Sequence, residues 1–102
     1  DILEATRAIR QFCAGTHCAD FMTNEMQRSA VLLQLIVIGE AAAHLSEEFK
    51  ARHPEIEWVD IIGFRNFAVH AYFAVDWYIV WTTATQDVPA VETQVMAVLE
   101  QG

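Results

Sequence analysis

Basic residues are scarce in this chain. Six Lys plus Arg stand against 14 Asp plus Glu, for a formal net charge of −8. That excludes the basic stripe of an ordinary nucleic-acid binder, so any phosphate contact must rest on a few local arginines. Glycine and proline are few as well, four and two residues, which leaves little punctuation for strands and tight turns and suits helices. There are two cysteines, Cys13 and Cys18, with His17 between them. One such cluster falls short of the paired ligand spacings of a zinc site, and free, reduced thiols in a cytosolic protein are expected. The longest apolar stretch, Ala30 to Gly39, is interrupted by Gln34. It falls short of the ~20 residues that cross a bilayer, so a soluble, cytoplasmic protein without a membrane segment is expected. No signal peptide is visible. The chain opens at Asp1-Ile2-Leu3-Glu4 without an initiator Met, and a few residues are expected to precede it.

What the chain does have is apolar surface. Hydrophobic residues make up 54% of its 102 residues, above the usual share for a soluble domain. This length fits one domain, residues 1–102, and a domain so small buries a modest fraction of its surface. An oligomer is therefore expected. A first helix is predicted over Ile2 to Cys13, where Ile2, Ala5, Ile9 and Phe12 recur at helical spacing, with Gly15 ending it. Thr16 to Asp20 reads as a connector. A long second helix is predicted from Asn24 to Arg52, capped by Thr23 or Asn24 and stopped by His53-Pro54. Its middle is apolar nearly all round, so one side is expected to meet another subunit. A third helix follows from Val59 to Ala71, and a fourth from Trp77 to Gln86 after an Asp76 cap. Asp87-Val88-Pro89 marks a kink or fresh start before a last amphipathic stripe. The fold expected is an all-α, up-down bundle of four to five helices that dimerises.

The chemistry is concentrated in Gly63-Phe64-Arg65-Asn66-Phe67-Ala68-Val69-His70-Ala71-Tyr72-Phe73. On an ideal helix Phe64, Phe67 and Ala71 form a buried face. Asn66 and His70 lie one turn apart on the other side, Arg65 and Tyr72 are nearly aligned, and Arg65 and His70 diverge by about 140°. Histidine moves protons near neutral pH. Arginine presents a planar fork that matches phosphate oxygens and can stabilise a phosphorane. RNA brings its own nucleophile, the 2′-hydroxyl, so the scheme needs neither metal nor cofactor. By spacing alone, an Arg and a His on one helix are more often a solvated face or a local salt bridge.

Arg65-Asn66-x3-His70-x-Tyr72 resembles the Arg-x4-His-x-Tyr motif of HepT toxins, within the HEPN superfamily. The resemblance covers nearly the whole chain. Leu35-Ile36-Val37-Ile38-Gly39-Glu40-Ala41 is similar to the family's apolar-Gly-Glu-Ala segment, and residues 56–66 to the run-up to the motif. Asp76-Trp77-Tyr78-Ile79-Val80-Trp81 is similar to the helix after it, and Asp87-Val88-Pro89 to the turn that follows.

The resemblance implies a HEPN-like helical homodimer that acts as the toxin of a toxin–antitoxin system and cuts RNA, mRNA or tRNA, in a cleft shared by two protomers. Arg65 and His70 would be the catalytic pair, with Asn66 supporting them. The partner it implies is a minimal nucleotidyltransferase antitoxin that transfers AMP to the motif tyrosine, here Tyr72, blocking the cleft by bulk and charge. Glu40 and His44, one turn apart, could bind a metal but more often form a structural contact. Glu40 is expected to be buried and to orient Arg65 or pin the bundle. Trp58, Trp77 and Trp81 read as core or interface anchors, Glu47 and Glu48 as a solvated helix end, and Arg28 as a surface salt bridge or a reach into the cleft. Two other readings compete. One is a non-catalytic module that holds a nucleotidyltransferase or a nucleotide, which the acidic charge favours. The other is a structural dimer with a decayed function, against which the unbroken motif argues.

Overall fold

The computed structural model describes residues 2–100. Its elements are α1 (Ile2–Cys13), α2 (Cys18–Thr23), α3 (Glu25–Ala43), α4 (Glu47–Arg52), α5 (Trp58–His70), a 3-10 turn (Tyr72–Ala74), α6 (Trp77–Thr82), a π turn (Thr83–Asp87) and α7 (Val88–Glu100). The fold is all-α, as expected, with no strand among the described residues. Asp1 falls outside them.

α3 is the axis of the bundle. Val31, Leu32, Leu35 and Ile38 on α3 close against Ala5 and Ile9 of α1, Phe21 of α2, Ala68 of α5, Val80 of α6 and Val88 of α7. Each large aliphatic side chain removed from water contributes about 1.5–3 kcal/mol, so this cluster dominates stability. Thr6 is buried on α1, but its hydroxyl donates to the Leu3 carbonyl at 2.8 Å and is not orphaned. α1 is also clipped to α7, where Glu92 meets Arg10 at 3.2 Å and Arg7 at 3.8 Å. Among the described helices, α3 alone has the length and apolar composition of a bilayer span. Here the bundle packs around it.

Several boundaries differ from the sequence reading. The segment after α1 is not a plain connector. Gly15 turns the chain at φ +71, and α2 follows at Cys18, placing Phe21 in the core. A side chain at that φ is strained. Gly15→Ala should lower stability by about 1 kcal/mol, read as a lower denaturant midpoint at unchanged slope. The helix predicted from Asn24 to Arg52 is two helices. Asn24 caps α3 by accepting from the Gln27 N–H at 3.0 Å. At the other end the His44 ring turns back on the Glu40 carbonyl at 2.7 Å. Ser46 then accepts from the Phe49 N–H at 3.0 Å and starts α4. A cap side chain between two helix-forming stretches breaks the helix locally. The last two helices run into one another. The Val88 N–H reaches the Thr83 carbonyl, which closes a π turn just before Pro89. Proline lacks the donor for the next α-helical bond, and the wider turn carries the chain past that gap.

Candidate active site

α5 is apolar on most of its circumference, so its inward side is selected by its neighbours. The side turned to the core carries Trp58 and Ala68, with Ile61, Ile62 and Phe64 half-buried. Phe67, expected to be buried, is 49% exposed, and Ala71 lies past the helix end. Small residues explain the difference: Gly39 of α3 and Ala68 of α5 let the two backbones close together, and α5 turns that seam inward.

Arg65 sits on the seam. A β-carbon added at Gly39 would lie well inside contact distance of the Arg65 Cβ, 2.8 Å from its Cγ and 3.2 Å from the Ile61 carbonyl. The stem of Arg65 therefore fills the space that a glycine leaves open. Its guanidinium emerges beside α3, where Nη1 donates to Glu40 Oε1 at 3.0 Å. Glu40 is half-exposed at 48%, rather than buried as expected. Arg65 Nε is buried without a hydrogen-bond partner. The pair fixes the guanidinium close to the surface through one of its donors and leaves others available to an anion.

Asn66 and His70 are exposed on the same helix. His70 is the last residue of α5, and the chain leaves helical geometry at Ala71. The alignment of Arg65 with Tyr72 on one continuous helix therefore does not hold. Tyr72 stands in the 3-10 turn, 46% exposed, with its ring edge-on to Phe73 at 5.7 Å and to Trp77 at 6.5 Å. Behind it the Arg28 guanidinium stacks over Trp77, 5.0 Å from the ring centroid, and Nη1 donates to the Met22 carbonyl. Arg28 thus makes a cation–π contact rather than a salt bridge. Exposed apolar groups flank His70 in the chain, namely Val69, Tyr72 and Phe73, and Tyr78 and Ile79 are exposed on α6.

The remaining candidates take structural places. Trp58 is buried and donates from Nε1 to the His53 carbonyl at 3.0 Å, while Trp77 and Trp81 are half-buried. Glu47 and Glu48 form the exposed first turn of α4, with Glu47 paired to Lys50 at 3.1 Å. Cys13 and Cys18 are free thiols, and burial pushes the Cys13 thiol above its ordinary range. Among the described residues no three His, Cys, Asp or Glu side chains come together as metal ligands.

Residues 2–98 match the model of the family described as "Ribonuclease HepT-like". The chain belongs to that family. Several curated HepT-like relatives are similar over most of their length. One is "Probable ribonuclease HepT" of Thermococcus cleftensis, 36% identical over 90% of this chain and 84% of the relative. "Putative RNase MJ1380" of Methanocaldococcus jannaschii is 33% identical over 93% of this chain and 87% of its own length. "Putative RNase TTE0752" of Caldanaerobacter subterraneus is 31% identical over 98% and 89%. No solved structure matches the chain. The HepT-like assignment agrees with the all-α bundle and with the motif that α5 carries. The part that Gly39 plays at the Arg65 seam was missed in the sequence. Its signal was a glycine inside an apolar helix, where it costs about 1 kcal/mol unless another backbone comes close.

Proposed function

We propose that this chain is an endoribonuclease that cleaves RNA without a metal cofactor, through Arg65, Asn66 and His70. The observation that carries the reading is the arrangement on α5 of a HepT-like chain. There Arg65 is tethered near the surface by Glu40, and Asn66 and His70 stand exposed within the next turn and a half. In the reaction the 2′-oxygen attacks phosphorus as a base removes its proton. The bond from phosphorus to the 5′-oxygen breaks as an acid protonates that oxygen, leaving a 2′,3′-cyclic phosphate and a 5′-hydroxyl. His70 is suited to the proton transfers. Arg65 neutralises charge on the phosphorane, where a fixed cation acts most strongly.

Arg65 and His70 lie five residues apart, about 7.5 Å along the axis and about 140° around it. A single protomer does not bring both onto one atom easily. Two copies facing across a two-fold axis would supply Arg65 and His70 from each side of one phosphate. The exposed apolar surface beside His70 suits that contact. The role proposed in the cell is the toxin of a toxin–antitoxin pair, restrained by a nucleotidyltransferase that adds AMP to Tyr72. Tyr72 is exposed at the end of the motif helix, where an added phosphate and base would obstruct the cleft.

The test is incubation of the purified protein with tRNA and bulk RNA in EDTA. Cyclic-phosphate ends are the expected product. Inert protein whose Tyr72 is unmodified by mass spectrometry would transfer the assignment to a non-catalytic nucleotidyltransferase-binding module, the reading that the net charge of −8 favours.

Glu40 is assigned as a positioning residue for Arg65. Its pair is half-exposed and contributes no more than about 1 kcal/mol to stability. Glu40→Gln should keep its melting temperature, yet lose roughly tenfold in kcat through a looser Arg65. A loss confined to KM, or none at all, would remove Glu40 from the site.

A further inference from the structure

A second concave feature of the bundle is lined by neither Arg65 nor Glu40. α5 rests on α3 and α7 rests on α1, and between α5 and α7 the chain leaves an open cavity of about 440 Å³. Leu35 and Ile38 of α3 form its floor, with Ile61 and Phe64 on one wall and Val88 and Val91 on the other. This volume is within the range of sites that take ligands. Its edge carries Glu55, Glu57, Asp60 and Asp87, and no lysine, arginine or histidine lines it. The wall on α7 runs from Asp87 to Gln94, about 10 Å, or two turns of helix.

We infer that this groove is the docking site for a basic amphipathic helix of a different protein, with its apolar face on Leu35 and Ile38 and its Lys or Arg against the four carboxylates. The pattern of apolar floor and charged margin is the one that helix-in-groove recognition uses. Charge decides between occupants. RNA is repelled by a margin of carboxylates. A second copy of this chain is no better suited: it carries a net charge of −8, and its six basic side chains are already engaged. Arg7 and Arg10 meet Glu92, Lys50 meets Glu47, and Arg65 meets Glu40, while Arg28 and Arg52 stack on Trp77 and Phe49. A polypeptide carrying lysine or arginine beside leucine-like residues satisfies both the floor and the rim. Glu55 of the rim faces His53 Nδ1 at 3.6 Å, while Glu57 and Asp60 crowd like charge together. Glu57 is held above the usual carboxylate range, first by its hydrogen bond with Asp60 and then by that neighbour's charge. An arriving ammonium or guanidinium group would relieve that crowding.

The inference does not depend on the ribonuclease reading and is tested apart from it. The probe is a synthetic helical peptide of leucine and lysine, fluorescently labelled. Its leucine–glutamate counterpart and a leucine-free lysine peptide of equal charge serve as controls. Binding to the full chain is followed by anisotropy, and the contact is mapped by amide NMR shifts. The leucine–lysine peptide is expected to bind, with shifts confined to residues 35–38, 55–64 and 87–94. Ala90→Trp fills the groove from an exposed position on α7. The triple change Glu55→Gln, Glu57→Gln, Asp87→Asn removes most of the rim charge. Each should weaken binding by tenfold or more, about 1.4 kcal/mol, while RNA cleavage is unchanged. Unchanged affinity in both variants would overturn the inference, as would equal binding by the leucine-free peptide or shifts scattered over the surface.

Discussion

His70→Ala should lower the rate of RNA cleavage by about a thousandfold, the middle of the range for loss of a positioned acid or base. The protein should remain folded, because His70 is exposed at the end of α5. Exposed substitutions of this kind fall within about 0.5 kcal/mol of wild type. Activity and melting temperature therefore separate the catalytic role from a structural one. A variant that still cuts at a tenth of the wild-type rate would sink the assignment of His70. Mixing the variant with wild type adds a second reading. If one cleft uses histidines from two protomers, inactive chains will depress activity more than dilution alone does. If each protomer works by itself, the loss will follow the fraction of inactive chains. Arg65→Ala should fall as far or further. It removes the cation proposed to face the phosphorane and also leaves the Glu40 carboxylate without its arginine partner.

The second large effect is expected far from any proton transfer. Gly39→Ala should destabilise the protein by about 2 kcal/mol net. Overpacking against backbone and side-chain stem lies at the upper end of its usual range, about 3 kcal/mol, and the gain in helix propensity from Gly to Ala returns about 1 kcal/mol of it. The clash wins because the opposing atoms are the Arg65 Cβ and Cγ and the Ile61 carbonyl. None is the free end of a flexible side chain, so α5 as a whole must shift. For a domain of this size, that amounts to a fall in Tm of roughly 10 °C. Circular dichroism melts of Gly39→Ala beside Gly15→Ala would check it. The Gly15 change strains a turn, with nothing within contact distance of the new β-carbon. The Gly39 change should also impair cleavage in whatever fraction stays folded, since it displaces Arg65. A Gly39→Ala protein as stable as wild type would mean that the α3–α5 seam has slack.

Much of the bundle could be read from the residues, and the reasons for the exceptions are physical. α1 has one apolar stripe and one charged side, and its bounds were legible because period and termination signals agree. α3 and α5 are apolar almost all round, so periodicity shows that they are helices and says little about which side faces in. The inward side of α5 is chosen instead by Gly39 and Ala68, whose small size becomes visible when the two helices are brought together. The break at His44 to Ser46 was masked because helix-forming residues resume at once in Glu47–Arg52. Arg65, Asn66 and His70 stand out with Asp60 as the polar groups of an otherwise apolar helix, and their proposed roles rest on the family resemblance rather than on spacing. The relation of Tyr72 to them was not legible, since the ideal helix was carried two residues past the point where Ala71 ends it.

The contact between Arg65 and Glu40 also bears on how two such chains could share one cleft. Bringing two guanidinium groups toward a common phosphate sets cation against cation before any substrate is present. With a carboxylate already beside each, every half-site is nearly neutral at rest, and the halves can approach without that repulsion. In the proposed cleft a phosphate would then meet the donors that Glu40 leaves open, while Glu40 keeps the guanidinium in place. The carboxylate that steadies each arginine would thus also serve assembly, by keeping the unloaded halves from repelling one another.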